Sequence, residues 1–152
     1  MQRHSGFALI ELITVIVILG ILSAFALPRF AGLEAHARAA SLEGLAGSVR
    51  GGAALTHSLW LARGDKPTRI TMEGVAVAMN TLTGYPDDGD TGIRAVIASS
   101  EGFTFAPTSG GRPGYEFGIA GITDTTHCKI TYLLGTTAGA PPTVTVDGTA
   151  CE

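Results

Sequence analysis

MQRHSGFALIELITVIVILGILSAFALPRF, residues 1–30, decides how the rest of the chain is read. A short polar leader with Arg3 precedes a run in which only Glu11, Thr14, Gly20 and Ser23 interrupt the apolar string from Phe7 to Leu27. As a helix that run extends about 31 Å, close to the thickness of a bilayer's hydrocarbon. A basic N-terminal flank stays in the cytoplasm, so everything after the span is expected outside it. Two details do not fit an ordinary anchor: an acid stands one turn into the apolar run, and Gly6 stands at the junction of leader and span.

A secretory signal has an apolar stretch of about 7–15 residues followed by a small-residue cleavage site. Here the stretch is longer, and Ala24-Phe25-Ala26 runs straight into Leu27-Pro28 without a clean site. The other arrangement is a cut before the apolar run, which is then retained. Glu11 allows two readings. It either complements the helix dipole and reaches the headgroups, or it meets a positive charge on a neighbouring copy. A carboxylate in hydrocarbon costs roughly 3 kcal/mol at mid-membrane, so it is usually paired or functional.

The rest of the 152 residues is enough chain for one domain with a core of its own. With 15% charged residues and a net charge of −3, it has no broad basic footprint, and no nucleic acid partner is expected. The helix is expected to continue past Pro28, which lacks an amide donor and should kink it, with Gly20 as a second weak point. Phe30, Leu33, Ala37, Leu42, Leu45, Val49, Ala53 and Leu59 keep near-helical spacing. Glu34 and Arg38 make an i,i+4 pair. Gly44, Gly47, Gly51 and Gly52 each cost a helix about 1 kcal/mol, which a sheet packed closely on that face would justify; local flexibility is the alternative. Gly64 and Pro67 end the helix near Arg63.

Beyond it the chain reads as β. A hairpin joins Ile70–Met72 to Val75–Met79 through Glu73-Gly74, and further strands are expected at Tyr115–Ile119, Lys129–Leu134 and Thr143–Val146. A short helix is expected within Thr91–Ser100. The fold class is therefore α+β, a long helix packed on a small antiparallel sheet. Trp60 and the phenylalanines read as core. In an exported chain Cys128 and Cys151 read as a disulfide, with two unrelated thiols as the alternative.

Catalytic and metal signatures are missing from the sequence. His4, His36, His57 and His127 are scattered, without HExxH spacing, and no G-x-S-x-G elbow occurs. Asp87-Asp88-Gly89-Asp90 resembles the start of a calcium loop, but the twelfth position would be Ala98 or Ser99 instead of a glutamate. It reads as a solvated turn. The expectation is no enzyme, no cofactor and no metal.

Gly6-Phe7-Ala8-Leu9-Ile10-Glu11-Leu12 resembles the class III leader and N-terminus of type IV pilins and of type II secretion pseudopilins, with Ala8 where threonine is usual. The resemblance implies that a prepilin peptidase cuts between Gly6 and Phe7 and N-methylates Phe7. It implies that Glu11 then meets the Phe7 amine of a neighbour in a helical filament, and that Gly20 to Pro28 partly melts on packing. It also implies a pilin fold, with leader 1–6, membrane and filament-core helix 7–27, amphipathic helix 28–63 and β-rich head 64–152. The segment PRFAGLEAHARAASLEGLAGSVRGGAAL, the Gly84-Tyr85-Pro86 turn, CKITY and PTVTVDGTAC look like the mannose-sensitive haemagglutinin subgroup of type IVa pilins. There Cys128 and Cys151 close a C-terminal disulfide loop, 128–151, worth about 3 kcal/mol by chain entropy.

Expected partners are further copies in a homo-polymer, the peptidase, an inner-membrane assembly platform, and membrane lipid before assembly. The head is then periplasmic before assembly and extracellular after it. Competing readings are a major pseudopilin of type II secretion, a minor pilin or tip adhesin, and a single-span anchored sensor with an uncleaved N-terminus.

Overall fold

The computed structural model describes residues 9–97, 99, 101–109, 111–122 and 126–151. One helix, α1 (Leu9–Arg63), takes up 55 residues, about 80 Å of rod. It runs without a break through Gly20 and position 28. Gly64 ends it with φ +73, the left-handed conformation that closes a helix and that glycine adopts at no steric cost.

Two antiparallel sheets follow. The strands β1 (Arg69–Met72) and β2 (Val75–Ala78) form a hairpin in which Met72 faces Val75. Glu73 and Gly74, at φ 47 and 84, make the two-residue turn whose twist suits a tight hairpin. Among the described residues between 91 and 100, the helix is a single 3₁₀ turn, Ile93–Val96. The second sheet is a meander of β3 (Phe103–Pro107), β4 (Gly114–Ile119), β5 (Lys129–Leu133) and β6 (Thr143–Asp147), in that order. Strand β3 is absent from the sequence reading; the other strand expectations hold to within a residue or two.

The core lies where α1 crosses this sheet. Leu42, Leu45, Ala46, Val49 and Ala53 of α1 pack with Tyr115 and Phe117 of β4 and Ile130 and Tyr132 of β5. The strand residues alternate, as a one-sided sheet requires. The Tyr132 hydroxyl, fully enclosed, donates to the Pro86 carbonyl at 2.8 Å. A smaller cluster joins Trp60 to Ile70 and Val77 of the hairpin and to Met79 just beyond it, with the indole N–H donating to the Pro67 carbonyl at 3.0 Å. Above it His57 stacks on Tyr85, centroids 4.0 Å apart, and shares a 2.7 Å hydrogen bond with the Gly84 carbonyl.

Three expectations are corrected. Phe25 and Phe30 are exposed instead of core, and Leu33 and Leu59 on the helical repeat are exposed too, whereas Trp60 is buried as expected. The sheet does not cover the glycine face. A Cβ on Gly44, Gly47 or Gly51 would meet nothing within 4 Å, and only Gly52 abuts a neighbour, Val96. The sheet instead sits on the Leu42–Ala53 side of the helix, roughly half a turn round. Finally, Asp90 is not merely solvated: its carboxylate accepts from the Tyr115 hydroxyl and from Arg94 at 2.8 Å.

Candidate functional site

Two places carry the sequence expectations: the start of α1 and the C-terminal disulfide. Gly6 and Phe7, the expected cleavage and methylation residues, lie outside the described residues. Glu11 occupies the first turn of α1 and is exposed. None of the ion pairs among the described residues engages it. Three residues on, the Thr14 hydroxyl donates back to the carbonyls of Ile10 at 3.0 Å and Glu11 at 2.9 Å. That satisfies the one hydroxyl in the first half of the stem within its own helix, as a hydroxyl facing hydrocarbon requires.

Among the described residues nothing buries the stem beyond Glu11. Leu12, Ile13, Val15, Ile16, Val17, Ile18, Leu19, Ile21 and Leu22 are all exposed, and the most apolar 18-residue window of α1 is 0% buried. By length and composition α1 can cross a membrane. So much open apolar surface in one place marks a membrane or protein interaction site. Against that background a lone carboxylate is a strong directional signal: whatever covers the stem must bring a positive charge to Glu11 or leave it unpaired at a cost. A Cβ added at Gly20, midway along, would meet nothing within 4 Å among the described residues.

At the other end Cys128 and Cys151 are joined, 23 residues apart in sequence and both 2% exposed. The bridge ties β5 to the chain after β6. Arg38 fixes the same corner to the helix: one guanidinium N–H donates to the Cys151 carbonyl at 3.2 Å, and another pairs with Glu34. The Glu34–Arg38 spacing is visible in the sequence. The Arg38–Cys151 bond, spanning 113 residues, is not. Likewise Arg50, which donates to the edge carbonyl of Val144 at 3.2 Å, has no sequence signal. Among the described residues no group of three or more His, Cys, Asp or Glu is placed to hold a metal ion.

Two likenesses to known proteins bear on this geometry. Residues 1–27 match the family described as "Prokaryotic N-terminal methylation motif", so the leader, Glu11 and most of the stem lie inside that match. The chain is also 51% identical over 49 residues to the "Type IV narrow pilus major component PilA5" of Thermus thermophilus. The aligned stretch is 32% of this chain and 42% of that protein, so the chain spans less than half the length of the curated relative it matches. No solved structure matches the chain. The two likenesses support a type IV pilin and reach no finer than that.

Proposed function

We propose that the chain is the precursor of a structural subunit of a type IV pilus. A prepilin peptidase cuts it between Gly6 and Phe7 and methylates the Phe7 amine. Before assembly α1 holds it in the inner membrane with the head outside the cytoplasm; afterwards it is one of many copies in a surface filament serving adhesion or motility. The chain itself performs no catalysis. The observation that carries this reading is the wholly unburied apolar stem with Glu11 in its first turn, lying within the matched methylation motif.

The physics of assembly follows from the residues. Cleavage creates an amine four positions before Glu11 in sequence, a spacing that helical geometry converts to about 6 Å. Between copies a stagger of about that size lets the amine of one meet the carboxylate of the next, and any other stagger leaves both charges in an apolar bundle. The pair therefore selects the axial step, and the exposed stem supplies the association energy, at about 25 cal/mol for each Å² of apolar surface covered. Glu34, Arg38 and the disulfide keep the head rigid on its stem.

Electron microscopy of cells expressing the chain tests the reading. Surface filaments are expected, and Glu11→Ala is expected to abolish them while leaving the protein processed and folded. Filaments of normal yield and step from Glu11→Ala would remove the role given to Glu11. A short periplasmic filament instead of a surface one would favour the pseudopilin reading.

A further inference from the structure

One hollow in the head shares no residue with the stem or the disulfide. It measures about 340 Å³ and is lined by Asn80, Asp88, Arg112, Pro113, Leu134 and Gly135, with Thr136 at its edge. Arg112 and Pro113 lead into β4, and Leu134 follows β5, so adjoining ends of two paired strands supply one wall. Asn80 and Asp88, from the segment after β2, supply the other. Three hydrogen bonds fix this frame. The Tyr132 hydroxyl donates to the Pro86 carbonyl at 2.8 Å, the Gly139 N–H to the Leu82 carbonyl at 3.1 Å, and the Arg112 guanidinium to the Leu134 carbonyl at 2.6 Å. The hollow is therefore formed in advance, which spares a ligand the cost of ordering its site.

Arg112 and Asp88 carry opposite charges and line the same hollow, yet neither belongs to an ion pair among the described residues. The bond from Arg112 to Leu134 occupies one of the five guanidinium donors and holds the side chain at the wall. Asp88 is half-buried, and the charge that acts on it is another acid. Burial first, and then the Asp87 carboxyl, push the Asp88 carboxyl above its ordinary value of 3.8. Such a carboxylate gains from any cation brought beside it. Asn80 turns its side-chain oxygen to the N–H groups of Leu82 and Thr83, at 3.1 and 3.2 Å, which leaves its amide nitrogen as a spare donor. The remaining lining is apolar in Pro113 and Leu134 and small in Gly135 and Thr136.

We propose that this hollow binds a free α-amino acid with an uncharged, apolar side chain: Arg112 takes the carboxylate, Asp88 takes the ammonium, and Pro113 and Leu134 cover the side chain. The charges match one for one. The planar fork of an arginine fits a carboxylate with two parallel N–H bonds, and the ammonium supplies the cation that Asp88 lacks. A plain anion on Arg112 would add a further negative charge near Asp87 and Asp88, and a plain cation on Asp88 would leave Arg112 unmatched. The size agrees: about 340 Å³ lies at the low end of ligand pockets, about 300–1,000 Å³, with room for one small molecule. The site does not depend on the pilus-subunit reading, because the head carries it whether or not copies polymerise.

Amide NMR of the full chain in detergent micelles, titrated with L-leucine, tests the site. Saturable shifts are expected at Gly135, Thr136 and the Asn80 side-chain amide. Isocaproate is leucine without its amine, and isoamylamine is leucine without its carboxylate. Each is expected to bind at least about tenfold more weakly, as the loss of one charge-assisted hydrogen bond implies. Asp88→Asn and Arg112→Gln are expected to weaken leucine binding by a similar factor with an unchanged circular dichroism spectrum. Thr136→Trp fills the hollow from an exposed position and is expected to abolish binding. Arg112 also holds the Leu134 carbonyl, so Asp88→Asn and Thr136→Trp decide the matter if Arg112→Gln disturbs the fold. The proposal is overturned by the absence of saturable leucine shifts, by equal binding of isocaproate or isoamylamine, or by undiminished binding in Asp88→Asn and Thr136→Trp. Normal filaments from a chain that ignores leucine would remove this site and leave the pilus-subunit reading standing.

Discussion

Substituting Gly44, Gly47 and Gly51 by alanine separates what the helix wants alone from what it wants in company. Each is a helix-interior glycine, and a Cβ at any of them meets nothing within 4 Å. Alanine there gains about 0.8–1.0 kcal/mol of helix propensity, with no clash to offset it. Gly52 is the internal control: it is equally helical, but its Cβ would overlap Val96 Cγ1. Gly52→Ala therefore sets the same propensity gain against about 1–3 kcal/mol of overpacking. The single variants Gly44→Ala and Gly51→Ala are expected to raise the stability of the monomer in detergent micelles by close to 1 kcal/mol, and Gly52→Ala to lower it. Guanidinium titration of the head, followed by Trp60 fluorescence, reads the difference. The same two stabilising variants are expected to reduce filament yield, because a methyl group keeps a neighbouring helix away from the backbone. Destabilisation of the monomer by Gly44→Ala would refute the reasoning, since it would mean that the face is already packed.

Other outcomes follow from the head. Closing a loop with a 23-residue separation is worth about 3 kcal/mol by chain entropy, so Cys128→Ser with Cys151→Ser should lower the denaturation midpoint by that equivalent; an unchanged midpoint would show the bridge to be idle. Gly84 combines φ +76 with a Cβ position 2.6 Å from the Trp60 ring, and Gly84→Ala is expected to cost about 2 kcal/mol or more and to shift the Trp60 emission.

The Asp90 carboxyl is held below its ordinary value of 3.8, first by the Tyr115 hydroxyl and then by Arg94. A depressed acid adds stability above its unfolded pKa, and that share is lost as pH falls through the folded value. Asp90→Asn should accordingly flatten the acid limb of the stability curve below pH 3.8. Tyr115 is pushed up to about 12 by burial and by Asp90, so its share is complete below pH 10.0 and lost as pH rises through about 12. Tyr115→Phe should weaken that alkaline dependence in a circular dichroism titration, and an identical alkaline limb would count against the assignment.

The sequence is most informative where local chemistry acts alone. Glu73-Gly74 fixes the hairpin because a two-residue turn needs positive φ at both places, and Gly64 ends α1 for the same kind of reason. Alternation marks β4 and β5, whose inner faces are the core. It fails at β3, where Phe103 to Pro107 alternates for only a few residues and ends in a proline that suits an edge strand. Helical spacing shows that Gly44, Gly47 and Gly51 share a face. It cannot say whether the sheet takes that face or the Leu42–Ala53 side, because both are free of charge. Helix cost alone allows either a sheet on the glycine face or local flexibility, and the larger side chains of the opposite face take the sheet. Long-range ties such as Arg38 to Cys151, or His57 to Tyr85, join residues too far apart in sequence for any periodicity to record. Glu11, by contrast, is legible because an acid among apolar residues conflicts with its surroundings, and such conflicts mark function.

The account turns on whether the stem is freed at its N-terminus so that copies can pair through it. The intact mass of the chain recovered from sheared surface filaments decides this in one step. A chain beginning at a methylated Phe7, and lacking the two thiol hydrogens of Cys128 and Cys151, is the expected result. A chain that still carries residues 1–6, or that never enters a polymer, would contradict it.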